Sequence, residues 1–430
     1  MSKSLIIPSV REKECPVRVA VVQDGARLHY GVPAALQRGG ILDRVFTEWF
    51  VKPNSWTDWV ARLAMRIDPQ RGRRMADRRS TELDARRVIT NPWLMVQQLR
   101  ARKRFSSVTD FYHWSSAEVG KWILRHGLGD ANALLGFIRN LDPALCVVCR
   151  DRGLVTVGDQ IIAPAVVETR EGRLQQARWP GWDLAADAED SASVAAHESA
   201  TWAALDHITC ASDYVKQGLI EVGNDPQRIS VIPYPIDVHE LPFVPREGRS
   251  GPVTIGFVGG VSTRKGAPYF FETARHFDPR EARFVMVGPV NIAPTAVEKY
   301  RGAVELTGPV PRSEIRRWLE TFDIFFFPST CEGSAGSLME AMATGLPVVT
   351  SPNSGTVARH DEEGFIADYD QTDQFAGYLK RLIADPDLRL RMGRAARRRA
   401  ETFSLDWYAE QLVTLLTRLV RERGAVGRLN

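Results

Sequence analysis

Two acids astride a glycine-rich turn are the residues of this chain whose types and spacing suggest chemistry. In PSTCEGSAGSLMEAMATGLPVVT (328–350), Glu332 lies on the turn and Glu340 lies further on, with seven residues between them. SLMEAMATG has its apolar residues at helical spacing and Gly345 as a stop, so the spacing predicts a helix. The amides of Gly336, Ser337 and Leu338 then stand near its start. There, unpaired N–H donors and the positive end of the helix dipole favour phosphate. A carboxylate one turn in, at Glu340, can accept from both hydroxyls of a ribose diol. Glu332, on the turn, can face a sugar. Spacing alone leaves a solvated helix-start acid (Glu332) and a capping or surface acid (Glu340) open.

The second group is cationic. VTIGFVGGVSTRKGAPYFFETA (253–274) reads as a strand, Gly259-Gly260, a loop carrying Arg264-Lys265-Gly266, and a helix. A Walker A loop would need Gly-Lys-Ser/Thr, and that order is missing.

The elements that must hold these groups are strand, turn, helix, strand. DIFFFPS (323–329) is too short an apolar run for a helix and suits a strand buried on both faces. LPVVTS supplies the next strand. The turn therefore sits at the carboxyl end of a strand in a βαβ unit, where ligands bind in open α/β sheets.

The order Glu332-Gly333, Glu340-Ala341-Met342-Ala343, Gly345, Pro347-Val348-Val349 resembles the signature of the GT4-type glycosyltransferases (glycosyl transferases group 1). The resemblance is strong over 208–237 and 253–370 and poor before that. It implies a retaining, nucleotide-sugar-dependent, metal-independent hexosyltransferase of the GT-B fold. That is an α/β architecture of two Rossmann-like domains facing across a cleft, with a C-terminal helix returning to the first. In such enzymes the second acid binds the nucleotide ribose and the first contacts the donor sugar, roles that fall to Glu340 and Glu332. Lys265 matches the family's diphosphate cation. Gly260 stands where the partner Arg is usual, so Arg264 is assigned the second charge. Gly259, Gly260, Gly336, Ser337 and Leu338 would line the diphosphate. Val310, within Gly308-Pro309-Val310-Pro311, falls where base contacts lie. Gly25 marks the loop after the first strand, and His113 is the candidate cleft histidine of the first half. One departure is Ser334-Ala335-Gly336 in place of the frequent Phe-Gly-Leu, which leaves the donor sugar open. The implied partners are a UDP- or GDP-linked sugar and a glycan or lipid-linked acceptor in cell-surface polysaccharide or glycoconjugate biosynthesis, with no cofactor beyond the donor.

Composition fits this reading. With 430 residues, two domains are the prior. A hydrophobic fraction of 44% and a charged fraction of 25% are ordinary for a globular protein, and a net charge of +4 suits anionic small substrates. No stretch approaches the ~20 apolar residues of a membrane span, and MSKSLIIPSVREKECP lacks an apolar core long enough for a signal peptide. A reducing cytoplasmic setting is expected, in keeping with five scattered cysteines. Cys146-Val147-Val148-Cys149 is read as part of a buried strand with its thiols on opposite faces, hence inert.

Along the chain, PVRVAVVQ (16–23) is the expected opening strand, followed by DGARLHYGVP, where Arg27 and His29 are polar candidates, and a helix through 34–38. VTDFYHWSSAEVGKWILRHG (108–127) is expected as strand, turn and helix, with His113 at the strand end. Asp187, Glu189 and Asp190 are expected in a helix's first turn. HELPFVPREGRSGP (239–252) reads as a linker. The expected division is an acceptor-binding domain 1–238, linker 239–252, a nucleotide-sugar domain 253–404 and a crossover helix 405–430. Asp368-Tyr369-Asp370 is discounted as a metal ligand because it stands away from the phosphate loops.

Between Trp56 and Arg104, Arg71, Arg73, Arg74, Arg78, Arg79, Arg86, Arg87, Arg102, Lys103 and Arg104 share the chain with Trp56, Trp59 and Trp93. Interspersed Asp77, Glu82 and Asp84 fit a solvated helical insert; peripheral contact with the inner face of an anionic membrane is the alternative. No recognition motif accompanies the charge, which disfavours nucleic acid. The competing functions are a nucleotide-sugar epimerase on the same fold and a non-catalytic glycan- or lipid-binding module. A Rossmann dehydrogenase is disfavoured because no GxGxxG follows a strand.

Overall fold

The computed structural model describes residues 16–183, 191–249 and 251–426. Asp187, Glu189, Asp190 and the N-terminal stretch through Cys15 lie outside them.

Short, nearly continuous apolar runs build two sheets in which every strand pair is parallel. The first has the order β3-β2-β1-β4-β5-β6-β7. Its strands are β1 (Val19–Val22), β2 (Leu42–Thr47), β3 (Val88–Thr90), β4 (Ala133–Phe137), β5 (Val155–Gln160), β6 (His207–Cys210) and β7 (Ile229–Val231). Alternation sends Val19 and Val21 into one core and Ala20 and Val22 into the other, so the sheet is covered on both faces. The second sheet runs β10-β9-β8-β11-β12-β13. Its strands are β8 (Val253–Val258), β9 (Ala282–Val287), β10 (Glu305–Leu306), β11 (Ile324–Phe327), β12 (Val348–Thr350) and β13 (Gly364–Ile366). Helix Leu405–Val426 lays Tyr408, Leu412 and Leu416 into the core of the first sheet.

Two expectations are corrected. PALCVVC is not a strand but lies in helix Pro143–Asp151, started by Asp142, which accepts from the Ala144 amide, with Pro143 in the first turn. Cys146 and Cys149 therefore share one buried face instead of opposing each other. Burial pushes both thiols up, Cys149 to about 11, so neither is activated. Likewise VTDF is the first turn of a single helix, Val108–His126, capped by Ser107. His113 sits in mid-helix, not at a strand end.

The stretch read as a linker is pinned to the second sheet. Arg246 is buried, and its guanidinium donates to the carbonyls of Phe322, Leu319 and Thr344. The two halves also interlock. Trp182, just past helix Ala165–Arg178, enters the second core against Phe271 and Tyr300. From the same helix, Gln175 accepts from Tyr269 at 2.6 Å and Arg178 pairs with Asp370 at 2.9 Å. That pairing is where the Asp368-Tyr369-Asp370 triplet is engaged.

His207, buried at the start of β6, carries a pKa pushed down to about 4 by burial, with Arg418 and Arg228 adding to the effect. The unfolded chain then takes up a proton that the folded chain refuses. This contribution of His207 is therefore expected to be lost as pH drops from about 6.5 toward 4. Paired thermal melts of wild type and His207→Gln check it: wild type should lose ground to the variant as pH falls through that range, and a midpoint difference independent of pH would contradict this.

Candidate functional site

The loops after β8 and β11 meet at the carboxyl edge of the second sheet because those strands are neighbours. Gly266, at φ +78°, starts the next helix, and a Cβ there would stand 1.9 Å from the Pro328 carbonyl oxygen. Only glycine allows that approach. The Arg264 carbonyl accepts from the Thr330 amide at 2.9 Å and from the Ser329 hydroxyl at 3.1 Å. This stitching delivers both cations to one carboxylate: Glu332 Oε1 is 2.7 Å from Arg264 Nη1 and 3.0 Å from Lys265 Nζ. Glu332 is only 9% exposed, and Lys265 also lies 5.4 Å from the centre of the Phe327 ring. Two cations against one acid leave the cluster net positive.

Helix Gly336–Ala343 begins beside it, as its sequence predicts. Its first turn is tighter than expected, since the Leu338 amide donates to the Ala335 carbonyl at 3.0 Å. Gly336 and Ser337 remain as amides with no backbone acceptor among the described residues. Glu340, 8% exposed, accepts from Arg312 Nη2 at 2.7 Å. Arg312 opens helix Arg312–Thr321, which follows the loop holding Val310. Gly260 lies beside Asn291 on the adjoining loop. Sequence reading missed Arg312, and no local pattern marks it.

The remaining candidates lie in the first domain. His113 stacks on His197 with ring centres 4.6 Å apart, and burial first, then His113, pushes the His197 pKa down to about 4. Gly25, at φ +71°, donates its amide to Glu48 at 3.3 Å. Glu48 and its partner Arg78 were not singled out from sequence as site residues, being acid and base on separate loops. Among the described residues there is no group of three or more His, Cys, Asp or Glu side chains that could hold a metal ion, and no helix is long and apolar enough to cross a membrane.

The turn carrying Glu332 is also where the two domains touch. A Cβ on Gly333 would lie 1.6 Å from the Ile161 carbonyl oxygen, just past β5, and the Gly333 carbonyl accepts from Ser212 Oγ. Gly333→Ala must therefore displace the turn or the domain contact, at about 1–3 kcal/mol. It is expected to lower the melting temperature; an unchanged melting curve would contradict the close approach.

Comparison with known proteins places this geometry. Residues 252–385 match the family model for glycosyl transferases group 1. A D-inositol 3-phosphate glycosyltransferase of Xylanimonas cellulosilytica is 28% identical over 52% of this chain and 59% of its own. The amylovoran biosynthesis glycosyltransferase AmsK of Erwinia amylovora is 30% identical over 47% of this chain and 53% of its own. The match thus spans somewhat more than half the length of these relatives. Among solved structures, sucrose-phosphate synthase of Thermosynechococcus elongatus superposes with a TM-score of 0.65 at 14% identity, over 94% of this chain and all of that one. Anabaena Alr3699/HepE, solved with UDP and glucose, gives 0.58 at 13% identity over 94% of this chain and all of its own. Residues 252–385 are therefore similar to the glycosyl transferases group 1, in a chain with the two-domain GT-B fold.

Proposed function

We propose that the chain moves a sugar from a UDP- or GDP-linked donor to a hydroxyl of a glycan or lipid-linked acceptor, with retention of configuration and without a metal. The observation that carries this is the convergence of Arg264 and Lys265 on the Glu332 turn beside the free amides of Gly336 and Ser337. As the bond from sugar to phosphate breaks, negative charge builds on the departing diphosphate. Fixed cations and amides aimed at that charge stabilise the transition state more than the ground state. In this reading Glu332 leaves its cations to the diphosphate and turns to the sugar hydroxyls, while Glu340 accepts from the ribose diol. Arg312, whose side chain is 70% exposed, can then move aside. The likeness to a structure holding UDP and glucose supports a nucleotide-sugar donor, and the named roles of the polysaccharide relatives support a surface-glycan setting.

The same reading puts the enzyme at the inner face of a membrane. In helix Trp56–Ile67, Trp56, Trp59, Leu63 and Ile67 fall on one stripe, and they are 59%, 64%, 39% and 77% exposed. On the same helix, Arg62 and Arg66 flank them. Helix Pro92–Ala101 adds exposed Trp93 and Leu99, with Arg100 against the Trp93 ring. Both helices pack on the cluster around Trp49. Aromatic and aliphatic tips ringed by arginine suit an anionic bilayer, where each basic residue near the surface contributes about 1 kcal/mol.

Two experiments test this. A panel of nucleoside diphosphates and their sugars should raise the melting temperature, by the equivalent of about 2.7 kcal/mol at a hundredfold excess over Kd. Glu340→Ala and Lys265→Ala should each abolish that shift; an unchanged shift would remove the ribose or diphosphate assignment. In sedimentation, the protein should bind phosphatidylglycerol-containing vesicles and release them as salt rises. Trp59→Ser with Ile67→Ser should reduce binding at least fivefold, whereas equal binding to neutral vesicles would overturn the membrane placement.

A further inference from the structure

One segment that belongs to the first domain in sequence lies on the second and ends at the loop carrying Arg264 and Lys265. Past helix Ala165–Arg178, Trp182 is buried against Phe271 and Tyr300, and its carbonyl accepts from the Ala293 amide at 2.7 Å. Asp183 continues as an antiparallel bridge to Ile292. That anchorage brings its carboxylate to the loop after β8, where Asp183 Oδ1 accepts from Thr263 Oγ1 at 2.6 Å. So short a distance is usual for a hydroxyl donating to a carboxylate.

Thr263 immediately precedes the two cations and is itself buried. Its carbonyl accepts from the Gly266 amide at 3.0 Å, and the Ser262 carbonyl accepts from the Ala267 amide at 3.0 Å, so these bonds close a tight turn around Arg264 and Lys265. The loop after β9 is bonded to both partners: the Val261 amide donates to Pro289 at 2.8 Å, the Asn291 amide to Val261 at 2.9 Å, and Ile292 pairs with Asp183. The cationic turn is thus held at two places. The Glu332 turn holds Arg264 through its backbone and both cations through the carboxylate; Asp183 holds Thr263.

Those two supports differ in what a ligand does to them. A phosphate group that draws Arg264 and Lys265 off Glu332 removes the ionic part of the first. The second does not pass through Glu332 or through either cation, so it persists. We propose that Asp183 is a positioning residue for donor binding, fixing through Thr263 the course of the turn so that Arg264 and Lys265 keep their aim when they leave Glu332. What the cations then hold rests on the glycosyl-transfer reading; the restraint on the turn does not.

Asp183 is exposed, so Asp183→Ala is expected to fold, and Thr263→Ser keeps the hydroxyl that Thr263→Val removes. Hydrogen exchange on the full chain without nucleotide should show the Gly266 and Ala267 amides exchanging about tenfold faster in Asp183→Ala and Thr263→Val, the scale of one hydrogen bond to a charged group, and as in wild type in Thr263→Ser. Calorimetric titration uses whichever of UDP and GDP binds wild type, together with its monophosphate. The same two variants should lose about tenfold in affinity for the diphosphate and far less for the monophosphate, and Thr263→Ser should restore it. Equal exchange in all these chains, an equal loss for both nucleotides, or no rescue by Thr263→Ser would overturn the positioning role while leaving the donor site standing. Binding of neither diphosphate by wild type would overturn the donor reading and this role within it, whatever the exchange shows.

Discussion

The structure depends on one ionic contact, the Glu332 carboxylate gripped between Arg264 and Lys265. Exposed ion pairs contribute little, but this acid is nearly buried and its cations stand on a loop fixed through backbone hydrogen bonds. The grip joins the loops that leave β8 and β11, neighbouring strands with no other reason to keep long polar side chains together. It also places a negative charge between two neighbouring cations.

Around that contact the two domains are fitted closely. Gly333 lies against the Ile161 carbonyl and accepts from the Ser212 hydroxyl, with Gly355 beside both, so the turn bearing Glu332 is pressed to the first domain. Cys331 packs with Ala163 and Val167 in a small apolar patch at the same seam. Farther out, Trp179 and Trp182 bury their rings among Tyr269, Phe271 and Tyr300. The C-terminal helix closes the other side by covering the first sheet. The result holds the loops beyond β1 and those beyond β8 in one framework.

Much of the second domain was legible in the sequence. IFFF could only be a doubly buried strand, Gly345 stops its helix where expected, and the pairing of Lys265 with Glu332 follows once β8 and β11 are adjacent. PALCVVC misled because a short apolar run has no periodicity of its own; the Asp-Pro start was the deciding signal and was passed over. His113 was misplaced for a related reason, since Ser107 capping the helix four residues before Phe111 was not weighed against the aromatic run. Leu338 was counted as a free amide because the tight turn at Ala335 is a matter of backbone geometry. Arg312, and the meeting of Asp24, Glu48 and Asn140, could not be read at all, because strand order alone brings residues so distant in sequence together.

The central claim is that an activated sugar is held by its two phosphates in the second domain. A crystal structure with UDP bound tests it most directly. The account predicts Lys265 within salt-bridge distance of the diphosphate, the Gly336 and Ser337 amides directed at it, and both ribose hydroxyls donating to Glu340. UDP bound elsewhere, or bound with Lys265 still on Glu332 and Glu340 away from the ribose, would contradict it.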